Sequence, residues 1–347
     1  MNLAIILWLS QDAIVNGAIY ALIALALIVV YAVTRIIFVP QGEFISFAAL
    51  SLALLQTGRY PGTIYFLIGA GLLIAIIDGW RLLRERNYRA LPQLLLFNIV
   101  LPLAVAGLAW WCVTHSGNIW LQMLTTIAIV TPMGPMIYRL AFQPLANASV
   151  LVLLIIAVAV HYMMTGLGLV FFGGEGLRAS IFPGASFNIG ILSVTAQSIG
   201  IVVSSLALMV ALWFYFGRSI YGKSLRATAI NRIGARLVGI STEFSGKLSF
   251  TLAALIGAIS GILIVPITTV FYDTGFLIAL KGFVGAIIGG MASYPIAVVG
   301  AVLVGFLESY SSFFASAFKE SIVFTLIIPV LLWRSLTTHR VEEDDEP

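Results

Sequence analysis

The chain has 347 residues, of which 61% are apolar and only 9% are Asp, Glu, Lys or Arg, against about 25% charged in a typical soluble domain. A water-soluble fold of this size cannot hide so much apolar surface, so a soluble globular protein is excluded and the solvent is lipid. The net charge of +4 does not point to nucleic acid, because the basic residues fall between apolar runs in the pattern that sets membrane topology.

Unbroken apolar runs such as 148–164 and 198–216 are the helical pattern. Barrel strands would alternate apolar and polar residues. The expected fold is an all-α polytopic transmembrane bundle of about ten or eleven segments. Hydropathy places them near 12–33, 42–57, 62–80, 93–114, 119–139, 148–172, 193–216, 247–271, 275–293, 296–314 and 318–333. The stretches 42–57 and 275–293 fall short of the roughly 20 residues of a straight crossing, so both are candidates for broken or re-entrant pieces. No positive n-region opens the chain, so the first span is expected to act as an uncleaved anchor.

In chain order, Gln41, Gly42 and Glu43 follow Pro40 in the break after the first span. A charge there is costly unless it faces a watery path or binds backbone ends, and both readings of Glu43 stay open. Asp78 lies beside Arg81 and reads as interfacial. Cys112 is the single cysteine and reads as a packed membrane residue, without metal spacing around it. Pro132, Pro135 and Pro266 should kink the fifth and eighth spans. His161, alone in an apolar helix, reads as a hydrogen-bonded packing residue. Gly257/Gly261 and Gly285/Gly289 form G-x-x-x-G pairs, read as helix packing.

The one long connection, 217–246, is strongly basic. Its centre, 224–237, is expected to form one amphipathic helix. Leu225, Ala229, Ile233 and Leu237 form its stripe, Arg226, Arg232 and Arg236 its flanks, and Gly239 its stop. Such a helix either lies on lipid or docks into a partner's groove. Gly217, Gly222, Lys223 and Ser224 also spell the phosphate-loop pattern. A membrane span precedes them where a buried strand would be required, so nucleotide binding is not expected. Further on, Lys281 and Glu308 lie in apolar runs, either as an interhelical pair or in contact with substrate. The tail Glu342–Glu346 reads as a solvated acidic end.

Arg and Lys near 35, 81–89, 139, 218–247 and 334–340 fall in one set of connections, while the other set holds only Arg59, Arg178 and Lys319. The rich set should be cytoplasmic, with the N-terminus outside and the C-terminus inside. The stretches 16–51 and 250–292 both run as a long span, a break and a short span. This hints at an internal repeat, and paired broken segments are where transporters often place the pathway.

Four stretches carry a family resemblance: 16–51 with its Gly-Glu turn, 138–156, the loop 221–240, and 281–310. Together they resemble branched-chain amino acid ABC transporter permeases of the LivH type. Two features depart from that pattern. Phe38, Val39, Pro40 and Gln41 stand where the family has Asn-Phe-Ala-His, and the loop lacks the family's acidic residue near Asn231. Residues 60–115 look like a two-span insertion. The resemblance implies an inner-membrane permease domain over 1–333 with a cytoplasmic tail at 334–347. It implies no enzymatic activity, cofactor or metal in this chain. The expected partners are a second permease subunit, two cytoplasmic ATPase subunits and an extracytoplasmic solute-binding protein. The coupling segment would comprise Leu225, Arg226, Ala229, Asn231, Arg232, Ile233, Ala235, Arg236, Leu237 and Gly239. Charge reversal at Arg232 or Arg236 is then expected to weaken ATPase docking. The rival reading is an ion-coupled carrier using Glu43, Lys281 and Glu308. A membrane enzyme is disfavoured, because His115, His161 and His339 lie far apart in sequence.

Overall fold

The computed structural model describes residues 3–337 apart from 87, 116, 147, 182–185, 190 and 191; the acidic tail, His339 and Arg340 lie outside the described residues. Among the described residues the chain is a helical bundle with one short β-hairpin, and nine helices are long and apolar enough to cross a membrane. It is a multi-pass membrane protein.

The helices are α1 (Leu3–Thr34), α2 (Gln41–Gln56), α3 (Thr63–Arg84), α4 (Leu91–Leu95), α5 (Leu101–His115), α6 (Ile119–Val130), α7 (Met133–Ile137), α8 (Val150–Phe172) and α9 (Ala196–Arg218). They continue as α10 (Ile220–Ile230), α11 (Arg232–Leu237), α12 (Thr242–Ile264), α13 (Thr274–Ile288), α14 (Tyr294–Phe314), α15 (Lys319–Thr325) and α16 (Ile327–Thr337). A π-turn, Leu96–Val100, joins α4 to α5, and another, Tyr138–Phe142, follows α7. The strands Ser186–Ile189 and Leu192–Thr195 pair antiparallel before α9.

Several of the expected boundaries move, the first span beginning at Leu3 and not near residue 12. The span placed at 193–216 begins at Ala196, because Thr195 is extended and its Oγ1 accepts from Ser198 N–H. Pro266 does not kink the span predicted at 247–271. The helix ends at Ile264 and a turn follows, because proline offers no N–H to continue it. Pro132 does interrupt its span, separating α6 from α7.

The centre of the bundle is built by α1, α2, α12 and α13. Helix α1 is apolar all round and buried along most of its length, as a helix surrounded by others must be. By contrast α3, α5, α8 and α9 bury only one face. Helices α2 and α13 have 16 and 15 residues, about 24 and 22 Å at 1.5 Å per residue, and neither spans a roughly 30 Å hydrocarbon core.

Their placement explains the shortness. The Gln41 side chain at the start of α2 donates from Nε2 to Ala253 O at 3.0 Å, at the midpoint of α12. The start of α13 meets the start of α2: Gly275 N–H donates to Ser46 Oγ at 2.7 Å. Gly42 and Gly275 lie backbone to backbone, and a Cβ on either would overlap the other's carbonyl. From this junction the two helices run to opposite ends. Gln56 closes α2 by bonding Ser180 N–H and O at 3.1 and 2.8 Å, beside the α12 terminus. The turn after α13 leads into Tyr294, stacked at 5.6 Å on Phe216 near the Arg218 end of α9. Both half-helices therefore aim their N-termini at a common point midway through the bundle.

The segment 35–40 climbs from the end of α1 to that point, held by Phe38. This ring is buried against Phe44, Phe142 and Phe250, with centroids 4.7–6.0 Å away. Both glycine pairs serve packing, Gly257 and Gly261 against Phe44 and Ile45, and Gly285 and Gly289 against Ala301 and Ala297.

Candidate functional site

Three clusters of polar side chains stand out in an otherwise apolar bundle. The first lies at the meeting of α2 and α13. Glu43, in the first turn of α2, is 1% exposed. Its Oε1 lies 2.6 Å from His161 Nδ1 and accepts from Thr165 Oγ1 at 3.3 Å, both on α8. The His161 ring packs on Phe276 of α13 with centroids 4.4 Å apart. Glu43 Oε2 and Gln41 Oε1 are buried and have no hydrogen-bond partner among the described residues. Two helix N-termini converge here, and their partial positive charge favours a carboxylate. Glu43 is thus held by a side-chain pair and not by capping nearby backbone. His161 is hydrogen-bonded, as its isolation in an apolar helix suggests.

The second cluster joins α1, α13, α14 and α15. Lys281 Nζ pairs with Glu308 Oε1, Tyr20 OH donates to Glu308 Oε2, and Glu320 Oε1 lies 3.2 Å from Lys281 Nζ. The interhelical Lys281–Glu308 pair is present, and Tyr20 and Glu320 extend it. Asp78, read from sequence beside Arg81, pairs instead with Arg139, through Nε at 2.9 Å and also through Nη2. Arg81 turns to Glu85, one helical turn on.

The third cluster is the basic connection. Its predicted single helix is corrected to two, α10 and α11. Asn231 is extended between them, and its Oδ1 accepts Gly234 N–H at 2.7 Å. This cap stops one helix and starts the next, so the four-residue stripe does not run through. Leu225 and Ala235 are buried against the bundle and Ala229 is partly so, whereas Ile230, Ile233, Leu237 and Val238 are 85%, 73%, 84% and 76% exposed. Gly239 does end the segment, with φ +85 and Ile240 N–H bonded to Ala235 O at 2.9 Å.

The arginines bond back to the bundle, while Arg226 and Arg236 remain exposed. Arg226 bonds Phe216 O, Arg232 Nη1 bonds Ala146 O at 3.2 Å, and Arg236 Nε bonds Thr242 Oγ1 at 3.0 Å. Burial, and then the nearby Arg236, lower the pKa of Arg232 from arginine's ordinary value. Gly217 lies in the last turn of α9, and Gly222, Lys223 and Ser224 lie inside α10, so the phosphate-loop letters fall on helices and not in a loop.

The basic residues of 81–89, 139 and 218–247 gather at one end of the bundle. Arg139 is tied to Asp78, Gln143 Nε2 donates to Glu243 at 2.8 Å, and Thr228 Oγ1 donates to Ser245 at 3.2 Å. Arg178, on Ile267 O, lies at the opposite end. Cys112 is buried and 3.8 Å from Thr125 Oγ1. Among the described residues no three His, Cys, Asp or Glu side chains converge as a metal site would need.

The sequence profile of the branched-chain amino acid transport system permease component matches residues 11–332, nearly the whole described bundle. The chain belongs to this permease family. It is 30% identical over 249 residues to the high-affinity branched-chain amino acid transport system permease protein LivH of Escherichia coli K12, covering 68% of this chain and 78% of that one. LivH of Salmonella typhimurium aligns to the same extent. BraD of Pseudomonas aeruginosa, a permease protein of the same kind of system, is 28% identical over 218 residues, 60% of this chain and 70% of BraD.

Sequence reasoning found Glu43, Lys281 and Glu308 because a charge in an apolar run demands a partner. It did not find His161 as the partner of Glu43, nor Tyr20 and Glu320, since these lie on other helices with no fixed spacing to read.

Proposed function

We propose that this chain is a permease subunit of an ABC importer for branched-chain amino acids or related small polar solutes, driven by separate ATPase subunits. Family membership supports the transport class. The exposed quartet Ile230, Ile233, Leu237 and Val238 carries the link to an ATPase. Four large aliphatic side chains within nine residues stand out from the basic end on a short helix pair. Each is worth about 1.5–3 kcal/mol when covered, and clustered exposed apolar groups mark an interaction surface. The bonds of Arg226 and Arg236, with the Thr228–Ser245 bond, fix this knob to α9 and α12, so a push on it is felt by the spans.

On this reading the basic end is cytoplasmic, the N-terminus is outside, and a solute-binding protein delivers substrate from the opposite face. A second permease subunit completes the pathway. Residues 60–115 are a two-span addition to the common permease body. Gln41, Gly42 and Glu43 sit where the half-helices meet, beside the route of the solute. The chain provides the path, and ATP hydrolysis belongs to its partners.

The docking surface is tested by co-purifying the ATPase subunits of the same system with the doubly substituted Ile233→Asp, Leu237→Asp permease. Recovery of ATPase is expected to fall about tenfold or more, the scale of losing two buried anchors, with the permease's own melting unchanged. Undiminished recovery contradicts the assignment. Charge reversal at Arg232 is expected to act differently, by unseating the segment from Ala146, and so to lower the permease's own melting.

A further inference from the structure

Two contiguous hollows lie beside α3, away from both buried charge clusters: one of about 740 Å³ between α3 with the 91–101 stretch and α7 with α12, and one of about 950 Å³ between α3 and the 139–144 segment with the start of α12. Neither wall is a straight helix. Pro132 separates α6 from α7, and the π-turn at Leu96–Val100 swings its backbone so that Asn98 O rests against Gly71 of α3. The hollow left between these walls has two chemistries. Its depth is apolar, lined by Leu94, Phe97, Leu101, Pro135, Met136 and Leu248. Its mouth, at the basic end of the bundle, carries Arg81, Arg84, Arg139 and Lys247.

Carboxylates at the mouth do not balance all of these cations. Asp78 takes Arg139, Glu85 takes Arg81, and Glu243 accepts from Gln143. Arg84 lies over Trp80 at 5.8 Å, and neither it nor Lys247 has a carboxylate partner among the described residues. The outer wall is lipid-facing, since Phe97 is 61% exposed. The apolar side chains of the depth, open to hydrocarbon, suit an acyl chain, with Asn98, Thr131 and Thr251 the polar residues among them. An occupant with an apolar chain and an anionic head complements both chemistries.

We infer that this is a binding site for an anionic phospholipid, with one acyl chain in the Leu94–Met136 hollow and the phosphate at Arg84 and Lys247. Juxtamembrane basic groups attract anionic lipids, and basic pockets between spans hold their headgroups. The extra pair of spans would then act as a lipid-filled flank against α12, the helix that leads from the basic connection into the centre of the bundle.

The test is native mass spectrometry of the full chain purified in detergent. Dioleoylphosphatidylglycerol is titrated against the zwitterionic dioleoylphosphatidylcholine, and inorganic phosphate serves as a competitor carrying the head alone. The anionic lipid is expected to bind about tenfold more tightly than the zwitterionic one. That preference is expected to vanish in the double variant Arg84→Gln, Lys247→Gln, whose side chains lie at the cavity mouth and whose loss leaves the core intact. Met136→Trp fills the depth without altering charge and is expected to weaken both lipids together. Equal binding of the two lipids, an unchanged preference in the charge variant, or displacement of the lipid by inorganic phosphate alone would overturn the inference, the last by making this a free-anion site.

Discussion

Helices α2 and α13 are alike in length and in starting at the same buried junction, yet each carries a charge of opposite sign in a different setting. Lys281 of α13 is saturated: two carboxylates face it, and Tyr20 holds the nearer one from behind. Glu43 of α2 is satisfied at one oxygen, while its buried second oxygen and Gln41 Oε1 on the same first turn have no partner among the described residues. A buried polar group without a partner costs about 1–3 kcal/mol, so a fold that keeps one has a reason beyond stability. On the function proposed above, the Lys281 cluster holds helices together and the Glu43 cluster takes part in the working cycle of the permease.

Lys281→Met should break the structural side of this comparison most severely. Glu308 and Glu320 would face each other without a cation, at about 3–5 kcal/mol for one broken buried pair. Thermal melting of the purified protein should drop sharply, and Lys281→Met combined with Glu308→Gln should recover part of it. Gly275→Ala comes next. Its methyl must displace the Gly42 carbonyl, at about 1–3 kcal/mol of overpacking, and the same melting assay reads it. The smallest effect on stability belongs to Glu43→Gln. The amide keeps a hydrogen bond to His161 in similar geometry, so stability should change by less than about 1 kcal/mol while solute uptake falls. A Glu43→Gln protein with full uptake would remove Glu43 from the transport role.

Legibility in the sequence followed the range of the interactions. Span positions came from hydropathy, a local property, and they hold to within a few residues for most segments. The half-helices were visible as runs too short to cross. The Lys281–Glu308 pair was readable because each is an isolated charge in an apolar run. The partner of Glu43 was not readable: His161 lies 118 residues away on a helix that packs on α2, and only the packing of α8 brings them together. The basic connection failed for a local reason. A period of four was carried across Asn231, a residue that readily caps a helix, and its bond to Gly234 N–H moved Ile233 and Leu237 off the buried face that holds Leu225. That break created the exposed apolar knob on which the coupling proposal stands.

Uptake by reconstituted vesicles tests the central claim most directly. Radiolabelled leucine would be offered, with the solute-binding protein, to vesicles carrying the permease with or without its ATPase subunits. The expected result is accumulation only when the ATPase is present and ATP is supplied to its side of the membrane. Accumulation by the permease alone under an imposed proton gradient, with no ATP, would contradict the account and make Glu43, Lys281 and Glu308 the groups of an ion-coupled carrier.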